Sequence, residues 1–297
     1  KILTTESKKK FKRLIRDNLT SDQLLRNIII DNEIITNDKY IADIQINFNK
    51  EKIITILRNN KINYTDLQSN PFLIIISSSE EFVNLGIDKK NLLYKYIEES
   101  AINKESIIKY EFPFFDKNDK FILPYKKIIS KDKKSFNQIL NKYNLKKILY
   151  VNINDSIIQN ILEVDIFLFH QNSFQEIIKF QKKYQKQSEN ILLLNNLSKD
   201  ITSYLDNWWK KNNQINNSFY SEIDCLIISK DFNDLIQIKS NIKNLSQIRN
   251  INYLSIALNN NLEEINYYGD FSIFKKSLSL FDINISNEDE CIIDSAG

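Results

Sequence analysis

The stretch IRNINYLSIALNNNLEEINYYGDFSIFKKSL, Ile248–Leu278, decides how the C-terminal part of this chain folds. Apolar residues alternate through NINYLSIALN, which puts Leu254, Ile256 and Leu258 on one face, and again through LEEINYYG, which puts Ile265 and Tyr267 together. Period-two alternation reads as strand, and the Asn-rich run Asn259–Asn261 joins the two. Gly269-Asp270 ends the alternation. Asp270 then stands as a helix cap, and Phe271, Phe274, Leu278 and Phe281 recur at helical spacing. Working back, IDCLIIS (Ile223–Ser229) is a strand, and Asp231 caps a helix whose stripe is Phe232, Leu235, Ile238, Ile242 and Leu245. Working forward, FDINI supplies a short strand and Cys291–Ile293 a further one. The order β-α-β-β-α-β predicts a ferredoxin-like domain over 222–297, with two striped helices on one face of a four-stranded antiparallel sheet.

The same plan is echoed near the start. IADIQINFNKEKIITILRNNKINY has an alternating strand, a cap and an amphipathic helix, and so does LEEINYYGDFSIFKKSLSLFDINI. A helix over Thr4–Leu25 comes before two strands joined at Asn37-Asp38, the second placing Ile44, Ile46 and Phe48 on one face. Asn49 caps the helix that follows. These elements predict an N-terminal αββα unit over 1–68.

Between the two lies a different pattern. FLIIISSS after Asn70-Pro71 is a short, wholly apolar strand of the kind buried on both faces. A helix around Lys89–Ser100, strands at Ser106–Tyr110 and Phe121–Leu123, the helix SFNQILNKY and the strand KKILYVNIN follow. DIFLFH (Asp165–His170) adds a strand, FQEIIKFQKKYQKQ reads as a surface helix or an excursion, and Leu192–Lys211 is helical. The expectation is a central α/β domain over 69–212 with a mixed or parallel sheet. NNQINNSFYSE, without apolar periodicity, reads as the clearest linker.

Composition narrows the function classes. With 42% apolar and 27% charged residues among 297, the chain is ordinary globular material. The 3 Gly, 3 Pro and absence of Met, against abundant Ile, Lys and Asn, follow most simply from an AT-rich genome, so Lys8-Lys9-Lys10 and Lys133-Lys134 count for little as basic motifs. A nucleic-acid binder concentrates cations against phosphates. Here 41 basic residues are interleaved with 38 acidic ones, and no nucleic-acid partner is expected. No apolar run approaches the roughly 18 residues of a membrane span, so no transmembrane segment is expected. The chain starts at Lys1 rather than Met, as a trimmed or mature product would, and the lack of a targeting segment carries no argument about compartment.

DNEIITNDKYIADIQINFNKEKIITILRNNKINYTDLQSNPFLIIIS, Asp31–Ser77, resembles the start of the bacterial family called domain of unknown function 2066. The shared features are a strand pair with Y-x-A (Tyr40, Ala42), an F-x-x-x-x-I helix (Phe48, Ile53), a gap and an apolar strand. The resemblance continues through FNQILNKYNLKKILYVNI and the Trp-bearing helix to INYLSIALNNNLEEINYYGDFSIFKKSLSLFDINI. It rests on ordered succession rather than on one specific motif. The family's members typically follow a secretion signal, which implies an envelope or periplasmic site, although the family's first strand and signal are not seen in this chain. The family has no established activity, so the resemblance implies an architecture and no catalytic residue.

Reactive constellations are sparse. Gly86, Gly269 and Gly297 are isolated and none precedes Lys-Ser/Thr, so no phosphate loop is written here; Gly269 reads as a turn before a helix. A Ser or Cys nucleophile needs a base, and the one histidine, His170, reads as a strand-end side chain. One His and two distant Cys do not make a zinc site. Cys225 and Cys291 read as small apolar side chains, with bridging left open. Glu263 and Glu264 point to opposite faces of a strand, Glu98-Glu99 are merely adjacent, and Glu288-Asp289-Glu290 reads as a solvated loop. Trp208 and Trp209 lie about 100° apart on a helix, one expected in the core and one at a boundary. Tyr253 and Tyr268 are the residues an RNA-stacking sheet would use, yet Glu263-Glu264 beside them disfavours phosphate.

The expectation is therefore a non-catalytic envelope protein with no catalytic, cofactor-binding or metal residues. It would bind an unknown protein partner or itself through exposed strand edges. The alternatives are a carboxylate-based hydrolase with acids gathered from distant segments, and a nucleic-acid-binding protein.

Overall fold

A computed structural model describes residues 2–18, 24–78, 86–156, 160–184, 190–257 and 260–295. The chain is a mixed α/β protein. Among the described residues it has nine helices and three sheets of two, five and five strands, none closed into a barrel. Its residues group into two compact units, one of Leu67–Asn212 and one of Ile2–Asp66 with Asn213–Gly297. The αββα segment and the C-terminal sheet thus belong to the same unit. Of the glycines singled out above, Gly297 lies outside the described residues, as does Leu258.

The N-terminal segment runs α1 (Thr5–Asn18), β1 (Leu25–Ile35), β2 (Tyr40–Phe48) and α2 (Lys50–Asn59). β1 and β2 pair antiparallel as a two-stranded ribbon. Its turn is closed by Thr36, whose Oγ1 accepts from the Lys39 backbone N–H at 3.1 Å. Asn49 caps α2 as its sequence position implies, Oδ1 accepting from the Lys52 N–H at 3.0 Å. Ile54 and Leu57 of α2, with Ile62 and Tyr64, form a small core with Ile215 and Ile273.

The other unit is built on β3 (Phe72–Ser78), α3 (Leu92–Asn103), β4 (Tyr110–Glu111), α4 (Lys117–Ile122), α5 (Tyr125–Ile129), α6 (Lys133–Tyr143), β5 (Ile148–Ser156), β6 (Ile161–His170), β7 (Ser173–Lys183) and α7 (Asn190–Asn212). The sheet order is β4-β3-β5-β6-β7, parallel across β4, β3 and β5 and antiparallel beyond. All seven residues of β3 are buried, because α3 and α7 cover one face and α4–α6 the other. That is why its sequence is apolar without alternation.

Three expectations fail in this unit. The strand expected at Ser106–Tyr110 is cut to the two residues of β4, Tyr110–Glu111. Phe121–Leu123 is no strand: Asp116 caps α4 by accepting from the Asp119 N–H at 2.7 Å, and Phe121 and Ile122 end that helix. Residues 174–183 are neither helix nor excursion but β7, paired with β6 along its length. A register shift opposite Ile166/Phe167 breaks the alternation between Phe174 and Ile178, which hid the strand. The tight turn between β6 and β7 puts Gln171 and Asn172 in the left-handed region, φ 47° and 58°, as a two-residue hairpin loop requires.

The chain closes with β8 (Tyr220–Ile228), α8 (Phe232–Asn244), β9 (Ile248–Ser255), β10 (Asn260–Tyr268), α9 (Phe271–Ser279), β11 (Ile283–Ile285) and β12 (Cys291–Ser295). The elements come in the expected order, but the sheet is five-stranded and mixed, in the order β11-β12-β8-β10-β9. β12 enters beside β8 and runs parallel to it, with Cys291 opposite Cys225. The two sulfurs form a disulfide, which answers the question of bridging left open above and replaces the reading of both residues as small apolar side chains. Leu235, Ile238 and Ile242 of α8 pack on the sheet as predicted, whereas Phe232 is exposed. α9 is buried on two sides: Phe274 and Leu278 face the sheet, and Ile273 joins the core made with the N-terminal segment. A single-stripe reading misses the second side. Asp270 holds the N-cap position without a side-chain cap hydrogen bond.

The Asn-rich segment before β8 is packed rather than free. Ile215 is buried and its N–H donates to the Tyr64 carbonyl at 2.7 Å, while Asn217 Nδ2 donates to the Ile62 carbonyl at 2.8 Å. One apolar anchor and amide hydrogen bonds hold it, so no periodicity was there to read.

Candidate interaction surfaces

The titratable residues singled out in sequence do not come together. His170 ends β6, half-buried, with Nδ1 3.2 Å from the Lys146 carbonyl oxygen. Glu263 and Glu264 take opposite faces of β10. Glu263 lies buried under α8 with an ion pair to Lys239 at 2.5 Å, and Glu264 accepts from Asn252 Nδ2 on the outer face at 2.6 Å. Glu99 pairs with Lys95 along α3. Glu288, Asp289 and Glu290 are exposed in the β11–β12 turn, where the Glu290 N–H donates to Asn287 Oδ1 at 2.7 Å.

Tyr253 and Tyr268 do not share a platform either. Tyr253 is opposite Glu263, with Lys239 Nζ 4.7 Å above its ring, and Tyr268 sits on the other face beneath the Arg58 guanidinium, 4.4 Å from the ring centre. Glu222, Asp224 and Glu264 line that outer face. Trp208 and Trp209 are both half-buried; Trp209 packs edge-on against Phe72 and its Nε1 donates to the Leu67 carbonyl at 2.8 Å.

One cluster that sequence reading did not find joins α4 to α6. Lys142 donates to Asp119 at 2.6 Å and to Asp116 at 2.8 Å, and the Tyr143 hydroxyl donates to the other Asp119 oxygen at 2.8 Å. Burial raises the Tyr143 pKa above the usual phenol range, with help from Asp119. The hydrogen bond from Lys142 holds Asp116 below the usual carboxylate range. Both Asp119 oxygens are engaged and its side chain is fully buried, so this carboxylate serves as a structural tie between the two helices, while Asp116 remains partly exposed at its edge.

Open α/β sheets bind ligands beyond the carboxyl ends of their parallel strands. Here Ser77 Oγ on β3 lies 2.8 Å from the Tyr150 hydroxyl on β5 and donates to Asn152 Oδ1 at 2.8 Å. Burial lifts the Tyr150 pKa to about 12, which keeps the phenol protonated at neutral pH. The nearby cavity, between Ser78, Asn91 and Ile153, holds only about 60 Å³, whereas small-molecule sites take roughly 300 Å³ or more. Among the described residues no group of three or more His, Cys, Asp or Glu side chains is gathered to hold a metal ion. An open groove of about 640 Å³ runs beside β4, lined by Glu98, Glu105 and Glu111 with Ile102, Phe112 and Phe114; its carboxylates would repel a phosphate backbone.

The outlying feature is the β1–β2 ribbon. Its register places Leu25, Ile28, Ile30 and Ile35 on the same face as Tyr40, Ala42, Ile44, Ile46 and Phe48. The other face is mixed: it carries the cross-strand pair Asp31–Asp43 with Asn27, Gln45 and Asn47, and also Ile29 and the exposed pair Ile34–Ile41 near the turn. Seven side chains of the apolar face (Ile28, Ile30, Ile35, Tyr40, Ile44, Ile46 and Phe48) leave between 46% and 77% of their surface exposed. The alternation of Ile44, Ile46 and Phe48 was legible in sequence. That they stay exposed among the described residues was not.

Fold and surfaces together define a mixed α/β protein with one buried disulfide, and no helix among the described residues is long and apolar enough to cross a membrane. No family model, curated protein or solved structure matches this chain.

Proposed function

We propose that this chain is a non-catalytic protein-binding or assembly module of the bacterial envelope or periplasm. The observation that carries the reading is the uncovered apolar face of the β1–β2 ribbon, since exposed apolar patches of this extent mark interaction sites. The Cys225–Cys291 bridge supports an oxidising compartment outside the cytoplasm. Membership of the family called domain of unknown function 2066 is part of the proposal and rests on the ordered motifs from Asp31 to Ile285. So is the finer fold reading, a ferredoxin-like β-α-β-β-α-β unit to which β12 has been added beside β8.

The two alternatives find less support. A carboxylate hydrolase needs acids converging on an enclosed cavity; Asp116 and Asp119 are engaged by Lys142 and Tyr143, and Glu98, Glu105 and Glu111 line a groove that is open to solvent. A nucleic-acid binder needs one basic, aromatic face, and Tyr253 and Tyr268 lie on opposite sides of their sheet.

The test uses the whole chain as bait on envelope extract, beside an Ile30→Asp/Ile44→Asp variant. Recovery of a discrete partner, or of further copies of the chain, by the wild type and not by the variant is the expected result. Equal recovery by both, or none together with a strictly monomeric mass, would overturn the reading.

A further inference from the structure

We infer that the apolar face of the β1–β2 ribbon is covered by a second copy of this chain, the two ribbons stacking face to face about a two-fold axis as a four-stranded, two-layer sandwich. The inference rests on the protein-binding reading above and names its partner.

Area is the first argument. A side chain of this size presents on the order of 200 Å² when free, so the seven exposed residues offer roughly 700 Å² of apolar surface. A stable interface takes about 800 Å² from each partner. Two such faces therefore suffice for most of a standard dimer without help from elsewhere.

The second argument is charge. At the hairpin end of the apolar face the Tyr40 hydroxyl donates to the Glu33 carboxylate at 2.8 Å, so that charge is already engaged; Asp31 and Asp43 lie behind the face, where Asn32 Nδ2 donates to Asp43 at 2.8 Å. A partner that inserts a charge here would bury it unpaired. An anionic lipid surface is disfavoured as well, because Leu25–Phe48 carries four acids (Asp31, Glu33, Asp38, Asp43) against Arg26 and Lys39, and membrane-surface binders are basic. Away from the Glu33–Tyr40 end, the Ile28, Ile30, Ile44, Ile46 and Phe48 rows meet their own copy with no such mismatch.

Geometry is the third. A two-fold interface uses one patch twice, so the patch must complement itself. Rows of isoleucine on two ribbons interdigitate at the usual sheet spacing of about 10 Å. A lone two-stranded ribbon is marginal in water, and a second layer supplies the packing it lacks.

The experiment is the mass of the whole chain by sedimentation across the micromolar range, for the wild type and for Ile30→Asp/Ile44→Asp. The expected result is a dimer for the wild type. The variant should be a monomer of unchanged circular dichroism, its dissociation constant weakened more than about a hundredfold by carboxylates buried without partners. Cross-linking reads the face directly: Ile44→Cys should oxidise to a covalent dimer, whereas Gln45→Cys, on the opposite face, should not. A monomeric wild type, a dimer that survives the double substitution, equal cross-linking by both cysteines, or monomeric binding to anionic vesicles would each overturn the inference. A monomeric wild type that still captures an envelope protein through Ile30 and Ile44 sinks the second copy alone, and one that captures nothing sinks the wider reading too.

Discussion

Removing the Cys225–Cys291 bridge tests how the C-terminal sheet is held. The two residues are 66 apart in sequence, and a cross-link closing a loop of that size removes on the order of 4 kcal/mol of unfolded-chain entropy. Nothing else ties β12 to β8 covalently, and its other neighbour, β11, has only three residues. The unit that holds the bridge comprises Ile2–Asp66 and Asn213–Gly297. For a unit of this size each kcal/mol moves the melting point by about 2–4 °C, so Cys225→Ala/Cys291→Ala should melt roughly 10–15 °C lower. Far-UV circular dichroism reads the shift, and hydrogen exchange in peptides spanning β8 and β12 localises it. Both tryptophans, Trp208 and Trp209, lie on α7 in the other unit, so their fluorescence serves as an internal reference. Both sulfurs are buried, and reductant should attack the native protein only as fast as this unit opens. A melting point within about 2 °C of wild type, or a loss seen only by tryptophan fluorescence, would refute the reasoning.

Other perturbations probe the remaining structure. Lys142→Met strands the buried Asp119 with only the Tyr143 hydroxyl and should cost about 3–5 kcal/mol in urea unfolding followed by tryptophan fluorescence; adding Asp119→Asn should restore much of it, since the two residues form one network. Gly269→Ala should cost about 1–3 kcal/mol in urea unfolding followed by far-UV circular dichroism, because φ is +84° and a Cβ would stand 3.1 Å from the Asn216 nitrogen. Gly86→Ala should cost less by the same readout, as its φ is not left-handed and the atom it meets is the terminal Cδ1 of the Ile128 side chain. Against pH, Asp88, Asp116 and Asp132 have lowered pKa values, held down first by hydrogen bonds from Lys120, Lys142 and Ser135. Their contribution is complete above the unfolded value of about 4 and is lost as pH falls through the lowered values. For Lys142, burial pulls the pKa down and its hydrogen bonds to Asp116 and Asp119 push it up by more, so its contribution is complete below about 10.4 and lost as pH rises beyond. Urea midpoints should thus fall on both sides of a neutral plateau, and Asp116→Asn should shallow both limbs.

Much of the fold was written locally. The hairpin at Asn37-Asp38, the Asn49 cap, the stripe of α8 and the opposed faces of Glu263 and Glu264 each follow from spacing within ten or so residues. β7 was missed because one extra residue shifts its alternation out of phase, although Gln171-Asn172 before it carried a turn signal. The Asp116–Asp119–Lys142–Tyr143 knot was missed for another reason: its parts lie on two helices, and adjacency in space leaves no mark in spacing along the chain.

By itself, then, the sequence determined which residues share a face: Ile44, Ile46 and Phe48 on β2, Leu235, Ile238 and Ile242 on α8, and every residue of β3 inside. Periodicity is a property of neighbours, and it is read from neighbours. What each face meets was decided only by the tertiary structure. It brought β12 in beside β8 and joined Cys291 to Cys225, packed α9 against Leu57 and Tyr64 as well as its own sheet, and left the isoleucines of the ribbon uncovered. Those outcomes depend on which distant segments compete for the same surface, a choice made by total burial across the chain and by no stretch of it alone.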